Sequence, residues 1–246
     1  MSDKQETSLY IVVKNQIVED IVSGKYEVGD KLPTEMELCE QYNVSRTTVR
    51  IALQQLALEG RINKVQGKGT FVTKPKIKQS LTSAGKGFAS QLMEQGYKPK
   101  TEIIDLRVVP ADYTLAQHLQ IDENDPVNQL IRVRYANEEP LQYEISYIPW
   151  KIAPGLINDE EDCKSSLFQL LKSKYNVIIH KTVEAIEPVL ATEEASRYIG
   201  VQTGAPIFSL ETVTYNQELI PIEYSHALFR GDLSKFTIER MYTQLD

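Results

Sequence analysis

Two arginines, Arg46 and Arg50, lie four residues apart just after a serine that can begin a helix. The hydroxyl of Ser45 can accept a hydrogen bond from a free backbone N–H of the first helical turn. The apolar residues that follow have helical spacing, so both arginines are predicted to lie on the polar side of the helix. A guanidinium donates paired hydrogen bonds to phosphate oxygens and to guanine edges. The segment is therefore predicted to be a recognition helix that reads DNA.

Two further elements are predicted to position this helix. Thr34 can cap an earlier helix while Glu37, three residues later, reaches back in a capping box. The apolar pattern then breaks at 43–44, which predicts a tight turn between two short helices. After Gly60, two short strands flank 66–69, whose glycines and lysine suit a hairpin tip that approaches a phosphate closely. Alone, this would be an ordinary solvated hairpin, but the order of the three elements predicts a winged helix-turn-helix.

The distribution of charge along the chain supports a nucleic-acid partner, although the net charge does not. The net charge is -7 and the pI is about 5.2. Residues 41–75 nevertheless contain six basic residues and one acidic residue, so the basic charge coincides with the predicted recognition helix and wing. The predicted partner is double-stranded operator DNA. The residues predicted to contact it are Thr34, Glu35, Ser45, Arg46, Thr47, Thr48, Arg50, Gln66, Gly67, Lys68 and Gly69.

The length of 246 residues fits two domains. We predict a DNA-binding domain over 1–73, a linker rich in lysine and proline over 74–80, and a second domain over 81–246. Cys39 and Cys163 are too far apart in sequence to suggest a zinc site or a disulfide framework. The chain has no apolar signal segment and no stretch long enough to span a bilayer, so a cytoplasmic protein without membrane contact is expected.

A helical pattern over about 81–95 begins the second domain, which then alternates strand-like runs with short helices predicted at 111–119, 166–175 and 192–198. Two of its hairpins, around 135–143 and 215–224, have similar sequences. This internal similarity predicts an antiparallel sheet with pseudo-symmetric halves, and direct hairpins favour an α+β fold over a parallel sheet.

Arg132 and Arg134 stand two residues apart on one of these strands, so their side chains are predicted to share a face. Such a pair suits a phosphate or a carboxylate. On the next strand, Gln142, Glu144 and Ser146 also share a face and could line a polar pocket. A solvated outer face with weak Arg–Glu cross-strand pairs is the alternative.

The N-terminal motifs resemble those of the GntR family of bacterial transcription regulators. The resemblance covers 9–73 and is carried by Gly29-Asp-Lys-Leu-Pro-Thr-Glu35, Val44-Ser-Arg-Thr-Thr-Val-Arg50 and Gly67-Lys-Gly-Thr-Phe-Val72. It implies that Arg46, Arg50 and Gly67 contact operator DNA. Met36 stands where many members of the family have another arginine, which affects the expected operator sequence.

The second domain resembles the UTRA effector-binding domain of the HutC-type branch, which has a chorismate-lyase-like fold. The motifs are Leu81-Thr-Ser83, Val133-Arg-Tyr135, Pro140-Leu141 with Glu144, and Glu223-Tyr224 through Arg230-Gly-Asp232. The resemblance implies effector contacts, commonly to a sugar phosphate, and the full candidate site comprises Ser83, Arg132, Arg134, Glu144, Ser146, Ser166, Glu223 and Tyr224. Phe168, Phe229 and Gly85 replace hydroxyl residues frequent at those positions, so the expected ligand is either less phosphate-like or held differently.

These features predict a homodimeric regulator, by default a repressor, that binds a pseudo-palindromic operator and responds to a small anionic effector. No catalytic residues, metal or cofactor are expected. Two alternatives remain: a lyase-like enzyme fused to a DNA-binding domain, in which Glu144 and Arg132 would act on a bound carboxylate, and an architectural DNA-binding protein without a ligand.

Overall fold

The computed structural model describes residues 8–81 and 87–240, and its residues cluster into two units with the boundary after Lys76. The described part of the first unit consists of α1 (Leu9–Val22), α2 (Glu35–Tyr42), α3 (Arg46–Leu58), β1 (Ile62–Val65) and β2 (Gly69–Val72).

Local signals fix the ends of α2 and α3. Thr34 and Glu37 form the predicted capping box, and Asn43 ends α2 in the left-handed conformation at φ 51°. Ser45 caps α3 by accepting a hydrogen bond from the Thr48 N–H at 3.2 Å. The apolar side of α3 is buried, and α1 packs against it. The predicted order of capped helix, recognition helix and hairpin is therefore confirmed.

The hairpin of β1 and β2 is antiparallel, with Ile62 opposite Val72 and Val65 opposite Gly69. The tip turns through Gly67 at φ +74° and Gly69 at φ +125°, backbone conformations that other residues adopt rarely. The sequence therefore needs both glycines to form this wing.

The second unit is built around one antiparallel sheet of six strands in the order β4-β5-β6-β9-β8-β7. In chain order its described elements are β3 (Ile77–Ser80), α4 (Phe88–Glu94), β4 (Pro99–Pro110), α5 (Tyr113–Leu119), β5 (Pro126–Ala136), β6 (Glu139–Pro149), a 3₁₀ turn (Leu156–Asn158), α6 (Glu160–Ser165), α7 (Leu167–Tyr175), β7 (Ile179–Leu190), α8 (Glu193–Ile199), β8 (Pro206–Asn216), β9 (Pro221–Arg230) and β10 (Ser234–Thr237). Antiparallel hairpins with helices give the predicted α+β fold.

The sheet has two similar halves, β4-α5-β5-β6 and β7-α8-β8-β9, as the hairpin similarity predicted. The helix of each half packs on the last strand of the other half. The ring of His118 in α5 stacks on Tyr224 in β9 with centroids 4.3 Å apart, and Tyr198 in α8 stacks on Tyr143 in β6 at 4.6 Å. The exchange connects the two halves on this face of the sheet through two apolar clusters, one around each helix.

Three elements differ from what the sequence indicated. The predicted linker 74–80 includes β3, which pairs in parallel with β10 although 74–78 is rich in lysine. Ile77 and Gln79 are buried at alternate positions, and this short alternation is concealed by the neighbouring lysines, Lys76 and Lys78. A helix was predicted from Leu81, but Leu81 is not helical and α4 begins at Phe88. The short helix α6 was not predicted.

Candidate functional sites

The recognition helix presents its cationic side to solvent. Arg46, Thr47 and Arg50 are exposed, whereas Val49 and Leu53 on the other side of α3 are buried. Within 8–81 and 87–240, neither arginine has an ion-pair partner. Their guanidinium groups are therefore free to donate to an external acceptor.

The residues predicted at the start of α2 have structural contacts as well. Thr34 accepts a hydrogen bond from the Glu37 N–H at 3.3 Å, and Glu37 accepts one from the Thr34 N–H at 2.7 Å. The bond from the Thr34 N–H, and a second from the Thr34 hydroxyl at 2.8 Å, lower the pKa of the Glu37 carboxyl. Glu35 forms an ion pair with Lys64 of β1 at 3.4 Å, which ties α2 to the wing. Thr48 is half-buried and shares a hydrogen bond with the Ser45 hydroxyl at 2.9 Å.

The wing tip exposes Gln66, Gly67 and Lys68. A Cβ atom at Gly69 would lie 2.5 Å from Cε of Lys31, a flexible side chain that can move aside, so it is the backbone conformation at φ +125° that requires glycine here. An exposed cationic helix beside a hairpin with one lysine at its tip has the charge and shape that a DNA groove and its phosphates require.

The second candidate site lies on the sheet face opposite α5 and α8. Arg132 and Arg134 of β5 both donate to Oε2 of Glu144 on β6, and the Arg134 bond is 2.8 Å long. Arg132 lies directly across from Glu144, and its side chain is 3% exposed. The predicted shared face is confirmed, and these pairs are buried rather than solvated.

Further groups surround these three side chains. Arg132 also donates to the backbone carbonyl of Cys163 at 3.3 Å, and the Ser146 hydroxyl is 3.5 Å from its Nη2. Gln142 donates to Oε1 of Glu144 at 3.2 Å. The guanidinium carbon of Arg134 lies over the Phe88 ring, 5.1 Å from the centroid of the ring. Arg132, Arg134, Gln142, Glu144 and Ser146 are called the arginine cluster below.

Glu223 on β9 adds a second carboxylate to this face. It is 3% exposed and accepts a hydrogen bond from the Thr214 hydroxyl at 3.0 Å. Burial, followed by repulsion from Glu144, raises its pKa, while Arg132 and the Thr214 and Ser146 hydroxyls oppose the shift. Glu223 has no ion-pair partner among the described residues.

The electrostatics of Glu144 are different. Burial by itself would raise its pKa, but Arg132 and Arg134 outweigh that effect and lower the pKa to about 2. Burial and the neighbouring Arg132 lower the pKa of Arg134, against the opposing influence of Glu144. Glu144 is therefore a permanent anion that neutralises one of the two arginines.

Three polar atoms of the arginine cluster have no hydrogen-bond partner although they are buried: Nε of Arg132, Nε of Arg134 and Oε1 of Gln142. Unpaired buried donors and acceptors are costly, and a bound ligand can satisfy them. The arrangement can hold an anion beside the arginines.

Two of the predicted effector residues form their hydrogen bonds away from the arginine cluster and Glu223. Tyr224 lies on the opposite face, where its hydroxyl donates to Glu211 at 3.3 Å, because neighbouring residues of a strand point to opposite sides. Ser166 caps α7 by accepting from the Gln169 N–H at 3.3 Å. Ser83 and the departure at Gly85 lie outside the described residues.

Phe168 and Phe229, the two described positions that lack the hydroxyl residue expected from the family resemblance, lie in different surroundings. Phe168 is 40% exposed near the start of α7, whereas Phe229 is buried with its ring edge-on to Phe236 at 5.0 Å. Phe229 lies directly across from Gln142, so an apolar side chain borders the arginine cluster on this side.

Sequence reasoning missed three contributors. Thr214 lies opposite Glu223 in the sheet, and the similarity of the two hairpins could have suggested this position. The carbonyl of Cys163 and the ring of Phe88 belong to other elements, and no local pattern indicated either contact. The described residues contain no cluster of His, Cys, Asp or Glu that could hold a metal ion. No helix among them is long and apolar enough to cross a membrane.

Comparison with known proteins gives matches to both units. Residues 9–72 match the family of bacterial regulatory proteins called gntR, and residues 94–235 match the UTRA domain. The uncharacterized HTH-type transcriptional regulator YurK of Bacillus subtilis (strain 168) is 35% identical over 243 residues, covering 99% of this chain and all of YurK. A probable fructoselysine utilization operon transcriptional repressor of Escherichia coli (strain K12) is 32% identical over 94% of each chain. The crystal structure of PhnF from Mycobacterium smegmatis superposes with a TM-score of 0.81 at 29% identity, covering 94% of this chain and all of that chain.

Proposed function

The chain belongs to the GntR family of bacterial regulatory proteins and is a DNA-binding transcription regulator with a UTRA domain, and from this premise we propose that it is a repressor whose operator affinity is controlled by a small anionic metabolite. The observation that carries the proposal is the pair of buried arginines, Arg132 and Arg134, with unpaired Nε donors. A sugar phosphate is the simplest ligand class that would use them.

The DNA half of the proposal assigns base and phosphate contacts to Arg46 and Arg50 and a backbone or minor-groove contact to Lys68. All three are exposed. A dimer would place two recognition helices on a pseudo-palindromic operator with half-sites about one helical turn, roughly 34 Å, apart. The protein would act in the cytoplasm, where its operator is, and without catalysis, in keeping with the regulator names of its relatives.

The dimer contact that we propose is the edge strand β7. Every residue from His180 to Pro188 is exposed, and Val183 and Ile186 are 48% and 39% exposed. A long exposed edge with apolar side chains on both faces is normally covered in the functional assembly. Sedimentation of the Val183→Lys variant should show a monomer if β7 is the contact, whereas an unchanged dimer would place the contact elsewhere.

The two sites must be thermodynamically coupled if the metabolite controls DNA binding. By linkage, effector and operator change each other's affinity by the same factor. The test is a fluorescence-anisotropy titration of labelled operator with and without a sugar phosphate that raises the melting temperature of the protein. Equal operator affinities in both titrations would rule out control by that ligand.

Two variants separate the proposed sites. Arg50→Ala should lose operator binding and keep ligand-induced thermal stabilisation, while Arg134→Ala should keep operator binding and lose the response to ligand. Arg107→Ala is the matched control, because Arg107 is exposed on β4, where it pairs with Asp105 at 3.1 Å and donates to Gln129 at 3.0 Å. Identical phenotypes of the first two variants would contradict separate sites.

A further inference from the structure

The ligand-binding face contains two guanidinium groups and two carboxyl groups, so its charges can balance before any ligand binds. Arg132 and Arg134 supply two positive charges, and Glu144 and Glu223 supply two negative charges when all four are ionised. Each of the four is buried or nearly so. A buried group of charges with a sum of zero is the least costly arrangement in a medium of low polarity.

The two carboxylates do not share the arginines equally. Both guanidinium groups donate to Oε2 of Glu144, while Glu223 accepts only from hydroxyl groups within the described part of the chain. Glu223 is therefore a buried carboxyl group without a cation in contact. Its raised pKa has the same physical origin, since burial disfavours the ionised form.

With Glu223 ionised, an anionic ligand placed beside the arginines would leave the buried site with net negative charge. The excess would be felt most at Glu223, the carboxylate that no cation contacts. Either the ligand brings its own positive charge or Glu223 takes up a proton when the ligand binds. Whether Glu223 takes up a proton depends on the charged groups that face it, Glu144, Arg132 and Arg134. The uncharged hydroxyl of Thr214 on β8 also contacts it.

We propose that the effector is zwitterionic, with an acidic group held by Arg132 and Arg134 and an ammonium group held by Glu223. The proposal rests on the proposed function, since it names the ligand class of the same site. An ammonium has three N–H donors and needs several acceptors. Besides the Glu223 carboxylate, the hydroxyl groups of Ser146, Thr214 and Ser225 are buried on this face, and Ser146 lies directly across from Ser225.

The test uses two pairs of probes that differ at the nitrogen. Glucosamine 6-phosphate is compared with glucose 6-phosphate, and phosphoethanolamine with propyl phosphate, in which a methyl group replaces the ammonium. Isothermal titration at neutral pH measures each dissociation constant for the full-length protein. In at least one pair, the ammonium probe should bind at least about thirtyfold more tightly than its partner, the usual loss when one member of a buried charge pair is absent.

A Glu223→Gln variant should remove this preference, because the amide keeps the shape and loses the charge. Glu211→Gln is the matched control, since Glu211 lies on the opposite face and accepts from Tyr224. Its preference for the ammonium probe should equal that of the wild type. If Glu223→Gln does not fold, titration in buffers of different ionisation enthalpy gives the same information: an ammonium probe should bind without proton uptake.

The outcomes separate this inference from the proposed function. Equal affinities within both pairs, or uptake of one proton with every probe, would overturn the zwitterion and leave an anion-controlled regulator intact. Binding by none of the four probes would also overturn it, while the operator titration with a stabilising metabolite would still decide the function independently.

Discussion

Two pairs of arginines, one in each unit, show how the same side chain takes different roles in different surroundings. Arg46 and Arg50 on α3 are exposed and have no ion-pair partner within the described chain. Arg132 and Arg134 on β5 are largely buried and converge on one carboxylate. The first pair leaves its charge available to a partner, while the second pair has already used part of its charge inside the fold.

The difference determines what each pair contributes to stability. An exposed guanidinium keeps its hydration, so its removal changes the folded and unfolded states almost equally. A buried guanidinium has lost its hydration, and Arg132 compensates for this mainly through Glu144, with further hydrogen bonds to the Cys163 carbonyl and the Ser146 hydroxyl. The arginine cluster is therefore both a ligand site and a part of the core, whereas the recognition helix is a surface whose arginines can change without unfolding the protein.

The largest expected effect is the loss of stability in Arg132→Ala. The change leaves Glu144 buried with one arginine fewer, and breaking a buried pair in this way typically costs about 3–5 kcal/mol. Denaturant unfolding followed by fluorescence of Trp150, the single tryptophan, reports on the second unit. Arg107→Ala should cost no more than about 1 kcal/mol. Similar losses in both variants would show that burial of Arg132 is unimportant.

Acid should weaken the second unit through Glu144. The folded pKa of about 2 lies below the ordinary value of 4.5, so the stabilisation is complete above pH 4.5 and is lost as the pH falls toward 2. The loss is on the order of 2–3 kcal/mol. It should be visible in Trp150 unfolding midpoints. Glu144→Gln should flatten this part of the profile, and a slope unchanged in that variant would assign the acid sensitivity to other carboxyl groups.

Arg50→Ala should act on DNA binding alone. The loss of one base or phosphate contact is expected to weaken operator binding by about 1–3 kcal/mol. The free energy of unfolding of this variant should stay within about 0.5 kcal/mol of the wild-type value, because the side chain is exposed. Anisotropy titrations at several salt concentrations would also show a smaller salt dependence if a phosphate contact is lost. A variant that is destabilised but binds DNA fully would contradict the comparison, because Arg50 would then contribute to stability as the buried arginines do.

The smallest expected effect concerns the cap of α2. Thr34→Ala removes the acceptor for the Glu37 N–H and should destabilise the first unit by about 1 kcal/mol. Hydrogen exchange of the amides in 9–72, measured by mass spectrometry, localises the change. Thr47→Ala is a stability control, since Thr47 is exposed on α3 and caps nothing. Equal exchange rates in the two variants would show that the cap contributes little.

The first unit was predicted almost completely because its signals are local. The caps at Thr34 and Ser45, and the glycines at 67 and 69, each determine the backbone within a few residues. The short strand β3 escaped prediction, since its pairing with β10 joins segments more than 150 residues apart. Only the folded chain brings those two segments together.

The sequence alone determined that Arg132 and Arg134 share a face, because side chains alternate along any strand. The same rule separates Glu223 from Tyr224, which lie on opposite faces. Only the tertiary structure decided that one carboxylate takes both arginines and the other takes none. This arrangement depends on the register of four strands and on the elements packed over them. Both are determined by contacts between residues that are distant in sequence.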